Sequence, residues 1–314
     1  MDNIMKKAYF FAAFLTLFSA ALYTASAGAE IRFPPHPAAV SGTADEIWSR
    51  AEKLEAEGRL RKAAELYQEL VDNYPDSKPA PDALYRLGAC REKLDELYPA
   101  FKAYQQLLDD YPGRGDLNDI LSRQFKIGEA FLEGRKRDFL LLPIRSGLPY
   151  ADEIFAAIVS NATFSDYAPR AQYNRGLALQ RQGKYEEAEL EYDLVYKNYS
   201  NSEMLAPAIF QKGVCAYEQA LGTNYDQNET ARAIRWFKTF IRRFPDNEYR
   251  GAAEKYLKEL RGREAEKSYK IGRYYERKGS RQGALIYYRD IIKDYPGTRW
   301  AELAAERLAG LEEE

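Results

Sequence analysis

An aromatic residue followed at once by proline or serine punctuates this chain at six recurring places: Tyr74-Pro75, Tyr111-Pro112, Phe164-Ser165, Tyr199-Ser200, Phe244-Pro245 and Tyr295-Pro296. Upstream stands a small residue. Gly88, Gly176 and Gly272 each lie 24 residues before Pro112, Ser200 and Pro296, and Ala51 lies 24 before Pro75. Gly128 to Ser165 is 37 residues and Gly213 to Pro245 is 32, the same frame with room for insertions at a turn. Between these marks runs a second pattern, a small residue, then an aromatic four on, then a large apolar residue three further: Ala63/Tyr67/Leu70, Ala100/Tyr104/Leu107, Ala188/Tyr192/Val195, Ala233/Phe237/Phe240 and Ala284/Tyr288/Ile291. Steps of four and three put such residues on one face of a helix. The third unit, read at Glu153, Ala157 and Ser160, does not follow it.

Each unit therefore predicts two helices, the first opened by a glycine that lets the second approach closely, the second stopped at the aromatic-proline mark. A glycine early in the first helix and a proline at the end of the second resemble the tetratricopeptide repeat. A lone helix pair cannot cover its apolar stripe, so such pairs must stack. The expected fold is all-α: a right-handed superhelical solenoid of about six tetratricopeptide-like helix pairs plus a C-terminal capping helix. An extra helical stretch is expected at about Glu248–Arg263, and the capping helix at Arg299–Leu311.

The first residues read differently. Lys6 and Lys7 precede the apolar run Ala8–Thr24, then the small-residue sites Ala25-Ser26-Ala27 and Ala27-Gly28-Ala29. That order is a secretory signal; the competing reading is a retained membrane anchor, since the run is just long enough. The expected organisation is a signal peptide at 1–27, a Pro-rich linker at 28–42, four N-terminal units at 43–202 with an insertion at 134–148, and C-terminal units with the cap at 203–314. Outside the signal the only cysteines are Cys90 and Cys215, each two residues after a repeat glycine and three repeats apart. A disulfide needs Cα atoms within about 7 Å, so both are expected to be buried fillers.

Nothing in the chain is arranged for catalysis. The single histidine, His36, lies in the linker, and no HExxH, GxSxG, GxGxxG or Walker motif occurs. No enzyme activity, metal or cofactor is expected. A net charge of −2 with interspersed signs argues against a nucleic-acid partner. Binding is the remaining role. Three residues before each frame position stands an aromatic: Trp48, Tyr85, Phe125, Tyr173, Phe210 and Tyr269. In a superhelix of helix pairs the first helices line the inner curve, so these six form a candidate partner-binding groove, set against the plainer reading that they pack between repeats. Glu52, Glu55, Glu92, Glu129 and Arg273 follow one turn on, giving the N-terminal part of that wall an acidic cast. In the insertion, Phe139, Leu140 and Leu141 follow Arg135-Lys136-Arg137 and form a candidate docking surface, or fold back onto the third unit.

Several segments carry a family resemblance. Tyr74–Lys78 (YPDSK) and Asp82–Gly88 (DALYRLG) look like periplasmic repeat proteins of outer-membrane assembly. Asp226-Gln227, Thr230–Phe237 (TARAIRWF), Phe244–Tyr249 (FPDNEY), Arg263–Gly279 (REAEKSYKIGRYYERKG) and Tyr295–Thr298 (YPGT) resemble the BamD-like outer membrane protein assembly factors. The resemblance spans about 41–311. It implies a periplasmic scaffold at the inner face of the outer membrane, whose N-terminal repeats bind unfolded outer-membrane proteins and whose C-terminal repeats dock on the barrel-forming assembly subunit. A partner-contacting arginine of the family falls near Tyr287, with Arg289 two residues on, so both join the candidate docking surface. The family is normally lipid-anchored, whereas no cysteine follows the signal core here, so membrane association is expected through partners or an uncleaved signal. The alternative is a CpoB-like envelope coordinator serving the Tol system or wall synthesis; the linker at 30–42 has no heptads of the coiled coil those proteins carry.

Overall fold

The computed structural model describes residues 42–134, 146–222 and 227–313. The segment expected to be a signal and nearly all of the expected linker, with His36, lie outside them. From Ala44 onward the chain forms one compact unit, and every described core residue belongs to it.

Among the described residues there are helices and no strands. They come in pairs: α1 (Ala44–Ala56) with α2 (Leu60–Asn73), α3 (Ala80–Lys93) with α4 (Leu97–Asp110), α5 (Leu117–Leu132) with α6 (Leu148–Asn161), α7 (Ala168–Arg181) with α8 (Tyr185–Asn198), α9 (Leu205–Gly222) with α10 (Gln227–Arg243), and α11 (Arg250–Arg277) with α12 (Arg281–Asp294). A final helix, α13 (Arg299–Glu313), covers the sixth pair with Ala301 and Ala304 buried against it. Each helix packs on its neighbours in sequence, which is the arrangement of an all-α tetratricopeptide-repeat solenoid.

The repeat glycines work by contact. A Cβ built on Gly88 would stand 2.5 Å from the Tyr104 ring, on Gly176 2.7 Å from Tyr192, on Gly213 2.7 Å from Phe237, and on Gly272 2.8 Å from Tyr288. In these four units the second-helix ring thus packs directly against the bare backbone of the first helix. The turn inside a pair is set seven residues after the frame position, where the backbone is left-handed at Gly58, Gly183 and Gly279. The amide there bonds back to the last helical turn, closing a C-terminal cap that favours glycine. Unit two places Asp95 there at φ 65°, one of the few side chains that tolerates it.

The third unit is regular after all. Ala151, Phe155 and Ile158 occupy the small, aromatic and apolar positions and are all buried, and a Cβ on Gly128 would stand 2.8 Å from Phe155. The Phe164-Ser165 mark was the wrong ruler. The helix actually stops at Ala162, whose amide bonds Ile158 O as Tyr74 bonds Leu70 O. Ala162 replaces the usual aromatic, and Phe164, two residues later, projects from the turn at 102% exposure. Glu153, Ala157 and Ser160 are offset by two residues from the apolar face, which is why they fail the pattern.

The extra stretch near Glu248–Arg263 is not a separate helix. It runs unbroken into the first helix of unit six as the 28-residue α11. Its first half belongs to unit five, where Tyr256 stacks on Phe237 at 5.0 Å and Leu260 joins the same core. Its second half carries Ala265 and Gly272 into the sixth unit.

Candidate functional site

The six frame aromatics occupy equivalent places. Each sits 5.5–6.0 Å from the buried second-helix ring of its own unit: Trp48 on Tyr67, Tyr85 on Tyr104, Phe125 on Phe155, Tyr173 on Tyr192, Phe210 on Phe237 and Tyr269 on Tyr288. Most also reach the next unit. The Tyr85 hydroxyl donates to Asp119 at 2.7 Å, Tyr269 meets Trp300 at 5.4 Å, and Phe210 stacks on Tyr249 at 5.0 Å. The set divides by burial. Phe125 and Phe210 are 3% and 7% exposed and act as inter-repeat packing, so neither lines an accessible wall. Phe125 is enclosed by Phe155, Tyr167 and the Arg170 guanidinium, 4.6 Å from the ring. Trp48, Tyr85, Tyr173 and Tyr269 are half-buried and leave an edge to solvent.

The wall beside these rings is not simply acidic. Cations from the following unit or the closing helix answer four of the carboxylates: Arg86 and Lys93 reach Glu55, Arg123 reaches Glu92, Arg170 reaches Glu129, and Arg307 reaches Glu276. Between units four and five the rung is neutral, Gln180 to Gln211 at 3.1 Å. Burial disfavours the Asp119 carboxylate, yet hydrogen bonds from Arg123 and Tyr85 outweigh it and hold its pKa below the usual carboxylate range. The first helices are thus joined by a polar ladder, which aligns the exposed ring edges without leaving a strong negative field.

A further rule links the two helices of a unit. Where the buried second-helix ring is tyrosine, the residue four after the frame position can accept its proton: Glu55 takes Tyr67 at 3.0 Å, Gln180 takes Tyr192 at 2.7 Å, and Glu276 takes Tyr288 at 2.6 Å. Where the ring is phenylalanine, that position holds Leu132 or Tyr217. A buried hydroxyl without a partner is costly, so the two positions change together. Unit two is the exception. Glu92 stands beside Tyr104 but is engaged by Arg123, and the Tyr104 hydroxyl has no hydrogen-bond partner.

The candidate docking residues fall in two places. Phe139, Leu140 and Leu141 lie outside the described residues. Tyr287 is half-buried and stacks on Tyr275 at 5.6 Å, while Arg289 is exposed and pairs with Glu312 at 2.6 Å. The structure does not bring these two together with the six aromatics. Both cysteines are free and buried. Burial, with Glu55 nearby, pushes the Cys90 thiol up to about 11, and burial, with Glu189 nearby, pushes Cys215 up to about 12. Neither should react with a thiol reagent at pH 8 while the chain is folded, and both should react in denaturant. A thiol-titration assay checks this; rapid labelling of the native protein would contradict the packing described.

Comparison with known proteins fixes the family. A tetratricopeptide-repeat model matches residues 49–77 and 82–113. The model for YfiO, outer membrane lipoprotein, matches residues 146–313, just over half of the chain. The chain belongs to the YfiO family. The outer membrane protein assembly factor BamD of Caulobacter vibrioides is 25% identical over 158 residues, 50% of this YfiO-family chain and 52% of that protein. BamD of Rickettsia prowazekii is 24% identical over 216 residues, covering 69% and 83%. The match thus spans about half the length of the Caulobacter relative. Among solved structures the tetratricopeptide-repeat protein YrrB is 15% identical with a TM-score of 0.35, over 68% of this chain and 92% of that one. No helix among the described residues is long and apolar enough to cross a membrane.

Proposed function

We propose that this chain is a periplasmic, non-catalytic scaffold of the outer membrane β-barrel assembly machinery, associated with the inner face of the outer membrane. It holds segments of unfolded outer-membrane proteins on its first helices and docks on the barrel-forming assembly subunit through its C-terminal units. The observation that carries this is the YfiO match, which runs through three consecutive helix pairs and the closing helix. Two further features support it. Trp48, Tyr85, Tyr173 and Tyr269 repeat a half-exposed aromatic edge at one phase of the first helices, and such edges suit a peptide that ends in an aromatic side chain. The cross-repeat ladder keeps them in register while lowering net charge along the wall.

Replacing Trp48 and Tyr85 together by alanine should weaken binding of a C-terminal outer-membrane-protein peptide by about 1–3 kcal/mol, with the helical circular dichroism retained. Fluorescence anisotropy with a labelled peptide reads this. Unchanged affinity in a folded double variant would remove the groove from the proposal. Phe125→Ala, by contrast, should lower stability without a direct loss of contact to the peptide.

A further inference from the structure

The charge of the array is unevenly spread. Residues 44–134 carry 13 lysines and arginines against 19 aspartates and glutamates, whereas residues 227–313 carry 20 against 14. The excess cations of the C-terminal part are not scattered. On α10, Arg235, Lys238 and Arg242 are exposed at steps of three and four, so they form one line along a single helix face. Among the described residues, Arg232 of the same helix is paired with Glu189 and Glu229, but none of the ion pairs involves Arg235, Lys238 or Arg242.

The neighbouring helix adds a second element. Helices α8 and α10 run parallel: Glu189 meets Arg232, Tyr196 meets Trp236 at 6.4 Å, and Arg243 lies 5.7 Å from the Tyr196 ring. These contacts fix which way each helix is turned. Ala188, Tyr192 and Val195 of α8, and Ala233, Phe237 and Phe240 of α10, are the buried sides. Leu190 and Leu194 then point the opposite way on α8, as Arg235, Lys238 and Arg242 do on α10. Two parallel helices meeting edge to edge bring these outward faces to the same side of the seam. Leu190 is 67% exposed, and Tyr196, which borders the seam, is partly exposed as well. Glu186 and Glu187 mark the limit of this face at the start of α8.

We propose that this face of α8 and α10 is a contact surface for an anionic phospholipid bilayer. Its cations meet lipid phosphates, and Leu190 and Leu194 enter the headgroup layer. The choice of occupant follows from the chemistry. Three exposed cations along one helix edge, none within ion-pair distance of a described carboxylate although Glu264 lies near Lys238, with aliphatic side chains beside them and Tyr and Trp at the boundary, match what an interfacial surface requires. Lys212 reinforces the seam from below. It is buried, paired with Asp193, and 3.8 Å from the Trp236 ring, which is itself partly buried against the core. The proposal rests on the envelope location proposed above, but its test uses purified protein and lipid and does not depend on any assembly partner.

The test is vesicle co-sedimentation of residues 44–314, the compact unit that carries its own core. Vesicles of phosphatidylglycerol and phosphatidylcholine in equal parts are compared with phosphatidylcholine alone. The unit should bind the anionic vesicles selectively, and added salt should weaken the binding. The triple variant R235E/K238E/R242E should lose at least roughly a hundredfold in affinity, each cation removed from such a surface being worth about fivefold and each added carboxylate repelling it. All three side chains are exposed, so circular dichroism should still show a folded helical protein. L190S/L194S should reduce the binding that persists at high salt. Equal binding to both vesicle types, or a folded triple variant that binds as well as the parent, would overturn the proposal. Binding to a poly-glutamate peptide without binding to anionic vesicles would overturn it too and assign the face to an acidic protein.

Discussion

Tyr192→Ala should destabilise the helical array by about 3–5 kcal/mol, the range for emptying a fully buried aromatic site. The Tyr192 ring lies across Gly176, contacts Tyr173 at 5.5 Å, and donates its hydroxyl to Gln180 at 2.7 Å. It is an interior unit, with helix pairs on either side, so the loss cannot be confined to a frayed end. Urea unfolding followed by circular dichroism should show a much lower midpoint or a split into two transitions. A loss under about 1 kcal/mol would mean the ring is not the keystone of its unit. The phenylalanine variants separate ring from hydroxyl. Tyr192→Phe strands the Gln180 acceptor and should cost about 1 kcal/mol. Tyr104→Phe, which removes a hydroxyl that has no partner, should be neutral or stabilising.

Gly88→Val should be nearly as damaging, by about 1–3 kcal/mol or more. Its Cβ would stand 2.5 Å from a Tyr104 ring that is itself fully buried and cannot swing aside. Helix propensity offsets only part of this: glycine inside a helix is poorer than alanine by about 1 kcal/mol, and valine regains less than that, so the clash decides the sign. Gly262 supplies the control. It lies within α11 with no atom within 4 Å of its would-be Cβ, so Gly262→Ala should stabilise by about 0.5–1 kcal/mol. Thermal melts of the two variants should move in opposite directions. A Gly88→Val protein as stable as the parent would show that the helices of a pair do not need the close approach described.

Much of this architecture could be read from spacing. The glycine, the small residue and the aromatic stand at positions where physics permits few alternatives, and five of the six units followed from them. The third unit was misread because its stop signal is Ala162, which no composition rule would single out, while an exposed Phe164 imitated the missing aromatic two residues late. Counting from the apolar face, Ala151, Phe155 and Ile158, would have found the register. The continuity of α11 was hidden for a different reason: no proline or glycine turn separates its halves, and only packing shows that one helix serves two units.

The candidate site was less legible. Periodicity placed all six aromatics at one phase, but phase does not report what a neighbouring repeat brings. Tyr167 and Arg170 enclose Phe125, and Tyr249 covers Phe210. The acidic wall was likewise answered by Arg86, Arg123 and Arg170, residues some thirty to forty positions away in sequence. The exchange between a buried phenol and its acceptor four residues past the frame position was available all along in Tyr67/Glu55, Tyr192/Gln180 and Tyr288/Glu276.

The role in barrel assembly is tested most directly by mild cross-linking in the native membrane, affinity purification of this chain, and identification of what is bound. The barrel-forming assembly subunit should be recovered, and its yield should fall when residues 250–314 are removed. Recovery of Tol or wall-synthesis proteins in its place, with the barrel-forming subunit absent, would contradict the account.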